Sequence, residues 1–138
     1  MDLRKITDNF SVSPQIEAAD VPGIIAAGFR SILCNRPDDE EPGQCCFDQV
    51  AEAARDAGIE VRTVPITSGM VRPEDMAAFR SALEQLPRPV LAYCRSGTRC
   101  TMLWSIAQFG EMAPEDILER TSKAGYDMSD LLRQLSQR

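Results

Sequence analysis

The chain has 138 residues, of which 43% are apolar and 26% charged, which is typical of one globular domain, and we expect residues 1–138 to form it. A net charge of −6, from 21 acidic and 15 basic residues, disfavours a nucleic acid or an anionic membrane as the main partner. The absence of histidine excludes Ser-His-Asp and Cys-His hydrolases and metal sites with His ligands.

Short apolar runs alternate with amphipathic patterns along the chain. In order, they predict one or two strands over 6–12, a helix over 18–27, a strand over 31–34, a helix over 47–57, a strand over 60–66, a helix over 73–86, a strand over 89–93, and helices over 101–109, 114–124 and 129–135, the last capped by Ser129. This alternation predicts an α/β domain with a central, largely parallel sheet flanked by helices.

The five cysteines, at positions 34, 45, 46, 94 and 100, are predicted to be free thiols. Their number is odd, no C-x-x-C pair occurs, and the segment MDLRKITDNF has no apolar core of a signal peptide. The longest apolar stretch, residues 21–29, is broken by proline and glycine and is too short to cross a membrane. We therefore expect a cytoplasmic protein that needs no metal and no organic cofactor.

The segment Cys94-Arg95-Ser96-Gly97-Thr98-Arg99 follows the last predicted strand and leads into a helix. A loop at this position directs several unpaired N–H groups to one point, and Gly97 allows the backbone to curl around it. With two arginines nearby, Cys94 is expected to be a thiolate at neutral pH. A buried, inert cysteine is the alternative for a strand end, but the surrounding loop favours a reactive one.

This loop resembles the active loop of single-domain rhodaneses, which has six residues and begins with the cysteine that forms a persulfide. The rest of the chain resembles the β-lactamase-hydrolase-like, phosphatase-like family, which implies the fold of dual-specificity phosphatases. The matching segments are Phe10–Gln15, Ala27–Arg30, Asn35–Asp38, Glu41–Gln44, Val64–Ile66, Leu91–Arg99 and Ala124–Asp127. Relatives fused to persulfide dioxygenases imply such an enzyme as a partner.

Two departures from tyrosine phosphatases favour sulfur transfer. A tyrosine-phosphatase loop is His-Cys-x5-Arg, whereas here Tyr93 precedes the cysteine, Cys100 stands at the arginine position and Arg99 comes one residue early. Phosphatases of this fold place an aspartic acid, the general acid, after the strand that corresponds to residues 60–66. Here Thr67-Ser68-Gly69 stands in that place, and Asp75 is expected in the first turn of a helix. An alkoxide leaves slowly without an acid, whereas sulfite or a thiolate leaves without one.

We therefore expect a rhodanese-like sulfurtransferase. Cys94 would carry sulfane sulfur as a persulfide from thiosulfate or a low-molecular-weight persulfide to an acceptor thiol. The alternatives are a cysteine-dependent phosphatase of the protein-tyrosine or dual-specificity type, and a non-catalytic module that binds an oxyanion. The predicted catalytic residues are Cys94 and Arg99, and the predicted anion-binding residues are Arg95, Ser96, Gly97, Thr98, Cys100, Arg36 and Ser68.

The roles of several further side chains can be weighed from the sequence. Cys100 is either a resolving thiol for Cys94 or an ordinary residue in the first turn of the helix. Arg36 either helps to bind the anion or pairs with Asp38 or Asp39 on the surface. Cys45 and Cys46 are expected to be surface thiols at a helix start rather than redox groups, and Cys34 is expected in the core.

Overall fold

One five-stranded sheet positions the candidate residues. The computed structural model describes residues 1–137. The strands are β1 (Arg4–Thr7), β2 (Phe10–Ser13), β3 (Ser31–Cys34), β4 (Glu60–Thr63) and β5 (Val90–Tyr93). Their order in the sheet is β1-β2-β5-β3-β4, in which β1 is antiparallel to β2 and all other neighbours are parallel. The predicted α/β fold with a largely parallel sheet is confirmed.

Six α-helices flank the sheet. They are α1 (Val21–Ala26), α2 (Phe47–Asp56), α3 (Pro73–Gln85), α4 (Thr98–Gln108), α5 (Pro114–Lys123) and α6 (Ser129–Ser136). A 3₁₀ turn at Ala18–Asp20 precedes α1. None of the helices in residues 1–137 combines the length and the apolar character that a bilayer crossing needs. The predicted cytoplasmic location stays a prediction.

The central strand β5 separates two apolar clusters. Val90 and Ala92 face the cluster that includes side chains of α3, α4, α5 and α6, whereas Leu91 and Tyr93 face the cluster with side chains of α1 and α2. All four residues are buried because helices cover both faces, and such strands are apolar at every position. Their alternation fixes which way the following residue, Cys94, faces: it joins the first cluster, against α4.

The four parallel strands end at the same edge of the sheet. Tyr93 is paired with Ser13 on one side and with Cys34 on the other, and Cys34 is paired with Thr63. The hydrogen bonds continue beyond the strands, since the Asn35 N–H donates to the Tyr93 carbonyl at 2.9 Å. The segments that follow β2, β3, β4 and β5 therefore converge, and parallel α/β sheets bind their ligands at this edge.

Two predicted elements differ from the patterns at prolines. One strand ends early, and one helix is divided into two parts. The predicted strand over 60–66 is regular only to Thr63, since Pro65 has no N–H for the ladder, although the Val64 and Ile66 N–H groups still donate to the carbonyls of Cys34 and Asn35. The predicted helix over 18–27 is a 3₁₀ turn followed by α1, and Pro22 lies in the first turn of α1.

Two helix starts differ from the prediction. Helix α4 begins at Thr98 rather than at residue 101, because Gly97 in the left-handed conformation reverses the chain and the helix starts directly after it. Ser129 was predicted to cap α6, but it lies inside the helix. Its N–H and hydroxyl both donate to the Asp127 carboxylate, so Asp127 satisfies one of the free backbone N–H groups at this end.

Candidate active site

Cys94 lies directly after β5, at the base of the loop that leads into α4. The residue is 1% exposed. The Gly97 N–H donates to its Sγ at 3.2 Å, and the backbone N–H groups of Ser96 and Cys100 also act on the sulfur. These donors come from the turn and the first residues of α4, where the N–H groups have no partner within the helix. The N–H groups that the sequence predicts around Cys94 therefore converge on its sulfur.

The surroundings of Cys94 lower the pKa of its thiol to about 6. The largest cause is a hydrogen bond from the Cys100 side chain, and the backbone N–H groups of Cys100, Gly97 and Ser96 act in the same direction. Burial opposes them, because removing a thiolate from water is costly. The hydrogen bonds outweigh burial, so Cys94 is mainly thiolate at neutral pH.

Gly97 is the position in this loop that tolerates no side chain. Its φ is +91°, a conformation that residues with a Cβ rarely adopt. A Cβ at this position would lie 2.1 Å from the Tyr126 hydroxyl oxygen. That hydroxyl donates to the Ser96 carbonyl at 3.0 Å, so Tyr126 supports the loop from behind. The close approach of Tyr126 and the shape of the loop both require glycine.

Above Cys94 lies an open pocket of about 440 Å³. It contains most of the predicted site residues, together with three that the sequence did not suggest. Its predicted members are Cys94, Arg95, Ser96, Thr98, Arg99 and Ser68, and the additional members are Glu40, Gly69 and Met102. Gly97 forms the buried turn beneath them.

Arg99 spans the edge of the sheet from α4. Its Nη1 donates to the Ile66 carbonyl at 2.9 Å and to the Glu40 carboxylate at 3.0 Å, and its Nη2 donates to the second Glu40 oxygen at 3.2 Å. The side chain is 10% exposed. The guanidinium is therefore held in place by β3–α2 and β4–α3 loop atoms while it lines the pocket.

Arg36 occupies a different place from the predicted ones. It is 4% exposed and does not pair with Asp38 or Asp39; Glu40 accepts from its Nε at 2.9 Å, and Glu41 lies 3.2 Å from its Nη2. Among the described residues it is absent from the pocket lining. Arg36 therefore supports the β3–α2 loop from inside. The carboxylates of Glu40 and Glu41 compensate the cost of burying its charge.

Arg95 is the exposed arginine of the loop. Its side chain is 69% exposed and its Nε lies 2.6 Å from the Glu41 carboxylate. It lines the pocket, as predicted, but an ion pair this exposed is weak and exchanges readily with solvent or ligand.

Cys100 lies behind Cys94 rather than in the pocket. The residue is fully buried, and burial together with the neighbouring Cys94 raises the pKa of its thiol. The anion-binding role predicted for it is not supported by this position, because the described pocket does not include it. It acts on the site through the hydrogen bond to the Cys94 sulfur.

The other cysteines lie away from the pocket. Cys34 is 2% exposed, as predicted for the core. Cys45 is buried rather than on the surface, and burial and the nearby Glu17 raise the pKa of its thiol to about 11. Cys46 precedes α2. All five are free thiols, as predicted, and residues 1–137 hold no cluster of three or more potential metal ligands of the His, Cys, Asp or Glu type.

The sequence model of the phosphatase-like domain of beta-lactamase hydrolase-like proteins matches residues 2–111. The chain belongs to this family. It is 31% identical over 137 residues to the beta-lactamase hydrolase-like protein of Agrobacterium fabrum, which covers 98% of this chain and 32% of that protein. The chain thus spans about a third of the length of the curated relatives it matches. The family resemblance inferred from the sequence is confirmed.

Solved structures agree with this assignment. A protein from Neisseria meningitidis described as a "putative phosphatase" is 34% identical, with a TM-score of 0.88 over 99% of this chain and 98% of that one. A second protein so described, from Shewanella putrefaciens, is 17% identical, with a TM-score of 0.76 over 99% of this chain and 89% of that one. The second likeness shows the fold alone.

These findings correct the predicted activity. The rhodanese-like sulfurtransferase, with a persulfide on Cys94, is wrong, because the family and the similar structures are phosphatase-like. The prediction relied on an arginine and a carboxylate missing from their usual sequence positions. The pocket nevertheless contains both groups, since Arg99 and Glu40 reach it from α4 and from the β3–α2 loop. The predicted sulfur donor, thiol acceptor and dioxygenase partner stay predictions.

Proposed function

We propose that this protein is a cysteine-dependent phosphatase that hydrolyses phosphate monoesters through a phosphocysteine intermediate. The observation that carries the proposal is the Cys94 sulfur: it accepts the Gly97 N–H at 3.2 Å, and its pKa is lowered to about 6. A buried sulfur that accepts hydrogen bonds at the base of an open pocket has the properties of a nucleophile. Family membership supports the same conclusion.

The reaction begins with attack of the Cys94 sulfur on phosphorus. The S–P bond forms as the P–O bond to the leaving group breaks. A water molecule then attacks phosphorus, the S–P bond breaks with its electron pair returning to the Cys94 sulfur, and inorganic phosphate is released. The N–H groups of Ser96 and Gly97 lie at the start of α4, where the helix dipole also favours an anion. They would bind the phosphoryl oxygens as charge builds up in the transition state.

Arg99 supplies the full positive charge of the pocket. Phosphatase loops usually place arginine six residues after the cysteine, and here that residue is Cys100, which faces the core. Arg99 takes over the role because it lines the pocket while its Nη1 is fixed by the Ile66 carbonyl. A planar guanidinium binds two phosphoryl oxygens at once, which a lysine could not reproduce.

The proposal is tested with p-nitrophenyl phosphate and by mass spectrometry of the acid-quenched reaction. We expect Cys94-dependent release of phosphate and a phosphoryl group on the Cys94 peptide. Cys94→Ser should lose at least about 1,000-fold in kcat, because a serine hydroxyl is not ionised here. The matched control Cys34→Ser, at a buried thiol outside the pocket, should retain activity.

Two results would overturn the proposal. One is the absence of hydrolysis for aryl and alkyl phosphates alike with a folded protein. The other is equal activity of Cys94→Ser and the native protein. Tight orthovanadate binding without any turnover would instead favour a non-catalytic module that binds oxyanions.

A further inference from the structure

Hydrolysis of an alkyl phosphate requires a proton for the departing alkoxide. The β4–α3 loop places Ser68 and Gly69 in the pocket, and neither carries an acid. Asp75 is held at the start of α3, where its carboxylate accepts the Arg72 N–H at 3.0 Å, and hydrogen bonds from Arg72 lower its pKa. It therefore caps a helix and is absent from the described pocket lining.

Glu40 is the one carboxylate that lines the pocket in the described part of the chain. The residue before it, Asp39, has a φ of +64°, which turns the chain at this point. The Glu40 N–H donates to the Gln44 side chain at 3.1 Å, and the Gln44 amide donates to the Pro37 carbonyl at 2.9 Å. The loop is thus built to hold the Glu40 side chain, which is 22% exposed, against Arg99.

Charged groups surround Glu40 from several elements. Arg99 faces it from α4, Arg36 from its own loop, and the Arg95–Glu41 pair and the Cys94 thiolate lie nearby. Burial raises the pKa of the Glu40 carboxyl, but the hydrogen bonds and charges of Arg99 and Arg36 outweigh burial, so in the free protein the pKa is lowered. The carboxylate is then ionised, and its two oxygens accept hydrogen bonds from Nη1 and Nη2 of Arg99.

Binding of a phosphoryl dianion reverses this balance. The dianion takes the same guanidinium that now binds Glu40, so two anions share one cation. Two anions that share one cation disfavour each other's charge, so the dianion would raise the pKa of the Glu40 carboxyl and favour its protonation. The proton is then located in the pocket, next to the group that must leave.

Resting on the proposed function, we infer that Glu40 is the general acid and base of this site. In the first step the Glu40 carboxyl gives its proton to the leaving oxygen as the S–P bond forms and the P–O bond breaks, which releases an alcohol. In the second step the Glu40 carboxylate takes a proton from water as the water oxygen attacks phosphorus. The S–P bond breaks, and its electron pair returns to the Cys94 sulfur as the thiolate.

The test compares leaving groups in Glu40→Gln, which keeps shape and hydrogen-bonding capacity but carries no proton to donate. The substrates are p-nitrophenyl phosphate, whose phenolate leaves readily, and phenyl phosphate, whose phenolate leaves poorly. We expect kcat/KM, which reports the first step, to fall by about 100-fold or more for phenyl phosphate and by less than about 10-fold for p-nitrophenyl phosphate. The basic limb of the pH–rate profile should disappear.

Glu41→Gln is the matched control, because it removes one charge from the same loop at a residue outside the pocket lining. In Glu41→Gln, the ratio of kcat/KM for phenyl phosphate to kcat/KM for p-nitrophenyl phosphate should equal that of the native protein. The titration of the Cys94 thiol in Glu40→Gln shows whether the loop is intact, and a midpoint that stays near 6 indicates that it is.

An unchanged ratio of the two rates in an intact Glu40→Gln would overturn the inference, and so would a higher kcat/KM with both substrates. The second result would mean that Glu40 only competes with substrate for Arg99. Both results leave the proposed function standing. The absence of Cys94-dependent hydrolysis by the native protein would overturn the proposed function itself.

Discussion

Two buried thiols at neighbouring strand ends have opposite properties. Cys94 follows β5 and Cys34 ends β3, and they are 1% and 2% exposed. The Cys94 sulfur accepts the Gly97 N–H, whereas the Cys34 thiol donates to the Arg36 carbonyl at 3.3 Å. The pKa is lowered to about 6 at Cys94, and burial raises it at Cys34.

Burial therefore does not decide which thiol is reactive. Both lose the solvation of water, and the difference lies in whether the hydrogen bonds that each sulfur accepts outweigh burial. After β5 the chain turns at Gly97 into a helix and presents N–H groups, which stabilise a thiolate. After β3 the burial of the Cys34 thiol raises its pKa, and the hydrogen bonds with Tyr93, the Arg36 backbone and Thr63 lower it too little to compensate.

Among substitutions of the residues around the Cys94 sulfur, the largest effect should come from Gly97→Ala, which makes Cys94 resemble Cys34. The added Cβ collides with Tyr126 and strains the backbone at a φ of +91°, so the N–H groups move away from the sulfur. With the thiol pKa near its usual 8.5, only about 3% is thiolate at pH 7, and the displaced cradle lowers kcat/KM further, by about 100-fold in total. Steady-state kinetics and alkylation of Cys94 measure both changes.

Gly110→Ala is the control for Gly97→Ala. Its φ of +92° carries the same backbone strain, but no atom lies within 4 Å of the added Cβ. It should cost about 1–2 kcal/mol of stability and leave activity and the Cys94 titration unchanged. A Gly97→Ala protein with native kcat/KM would show that the turn does not control the thiolate.

A smaller effect is expected from Cys100→Ala. The hydrogen bond from Cys100 is the largest single cause that lowers the Cys94 pKa, so its loss raises the midpoint of the Cys94 titration. A bond of about 1 kcal/mol corresponds to a rate about 3-fold lower at pH 6, where the thiolate fraction is limiting, and to little change at pH 8. The pH–rate profile measures this difference.

Cys100→Ser retains a donor and should stay close to the native profile, while Cys34→Ala removes a buried thiol without touching Cys94. If the midpoint of the Cys94 titration in Cys100→Ala coincides with the native one, the backbone N–H groups alone stabilise the thiolate.

The smallest effect is predicted for Tyr126→Phe. It removes the hydroxyl that donates to the Ser96 carbonyl but keeps the ring, over which Arg4 lies at 5.2 Å. Denaturant unfolding should show a loss of about 1 kcal/mol, and kcat should change by less than about 3-fold. A change in the Cys94 titration larger than that of Cys100→Ala would show that Tyr126 positions the loop more strongly than its single contact indicates.

The sequence predicted the fold well where local patterns are strong. Apolar runs and proline and glycine signals located β3, β4, β5 and most helices, whereas residues 6–12, predicted as one or two strands, belong to two, β1 and β2. The start of α4 was placed three residues late, because Thr98 and Arg99 are polar and the apolar pattern begins only at residue 101. Polar residues at a helix start carry no periodic signal.

The pocket was harder to predict than the loop. Cys94 and its neighbours are contiguous, so their spacing is visible in the sequence. Glu40 lies 59 residues from Arg99, within the run Asp38–Glu41, and such a run usually indicates a solvated surface. Only the sheet register, which joins the ends of β3 and β5, brings its carboxylate to Arg99.

The most direct test of the central claim is the pH dependence of iodoacetamide alkylation, followed for each cysteine peptide by mass spectrometry on the folded protein. A thiol with a lowered pKa is ionised above it, so the alkylation rate of Cys94 should fall tenfold per pH unit below about 6 and be constant above about 7. Cys34 should stay unmodified throughout this range. A Cys94 midpoint near 8.5, or equal rates for Cys94 and Cys34, would contradict the account.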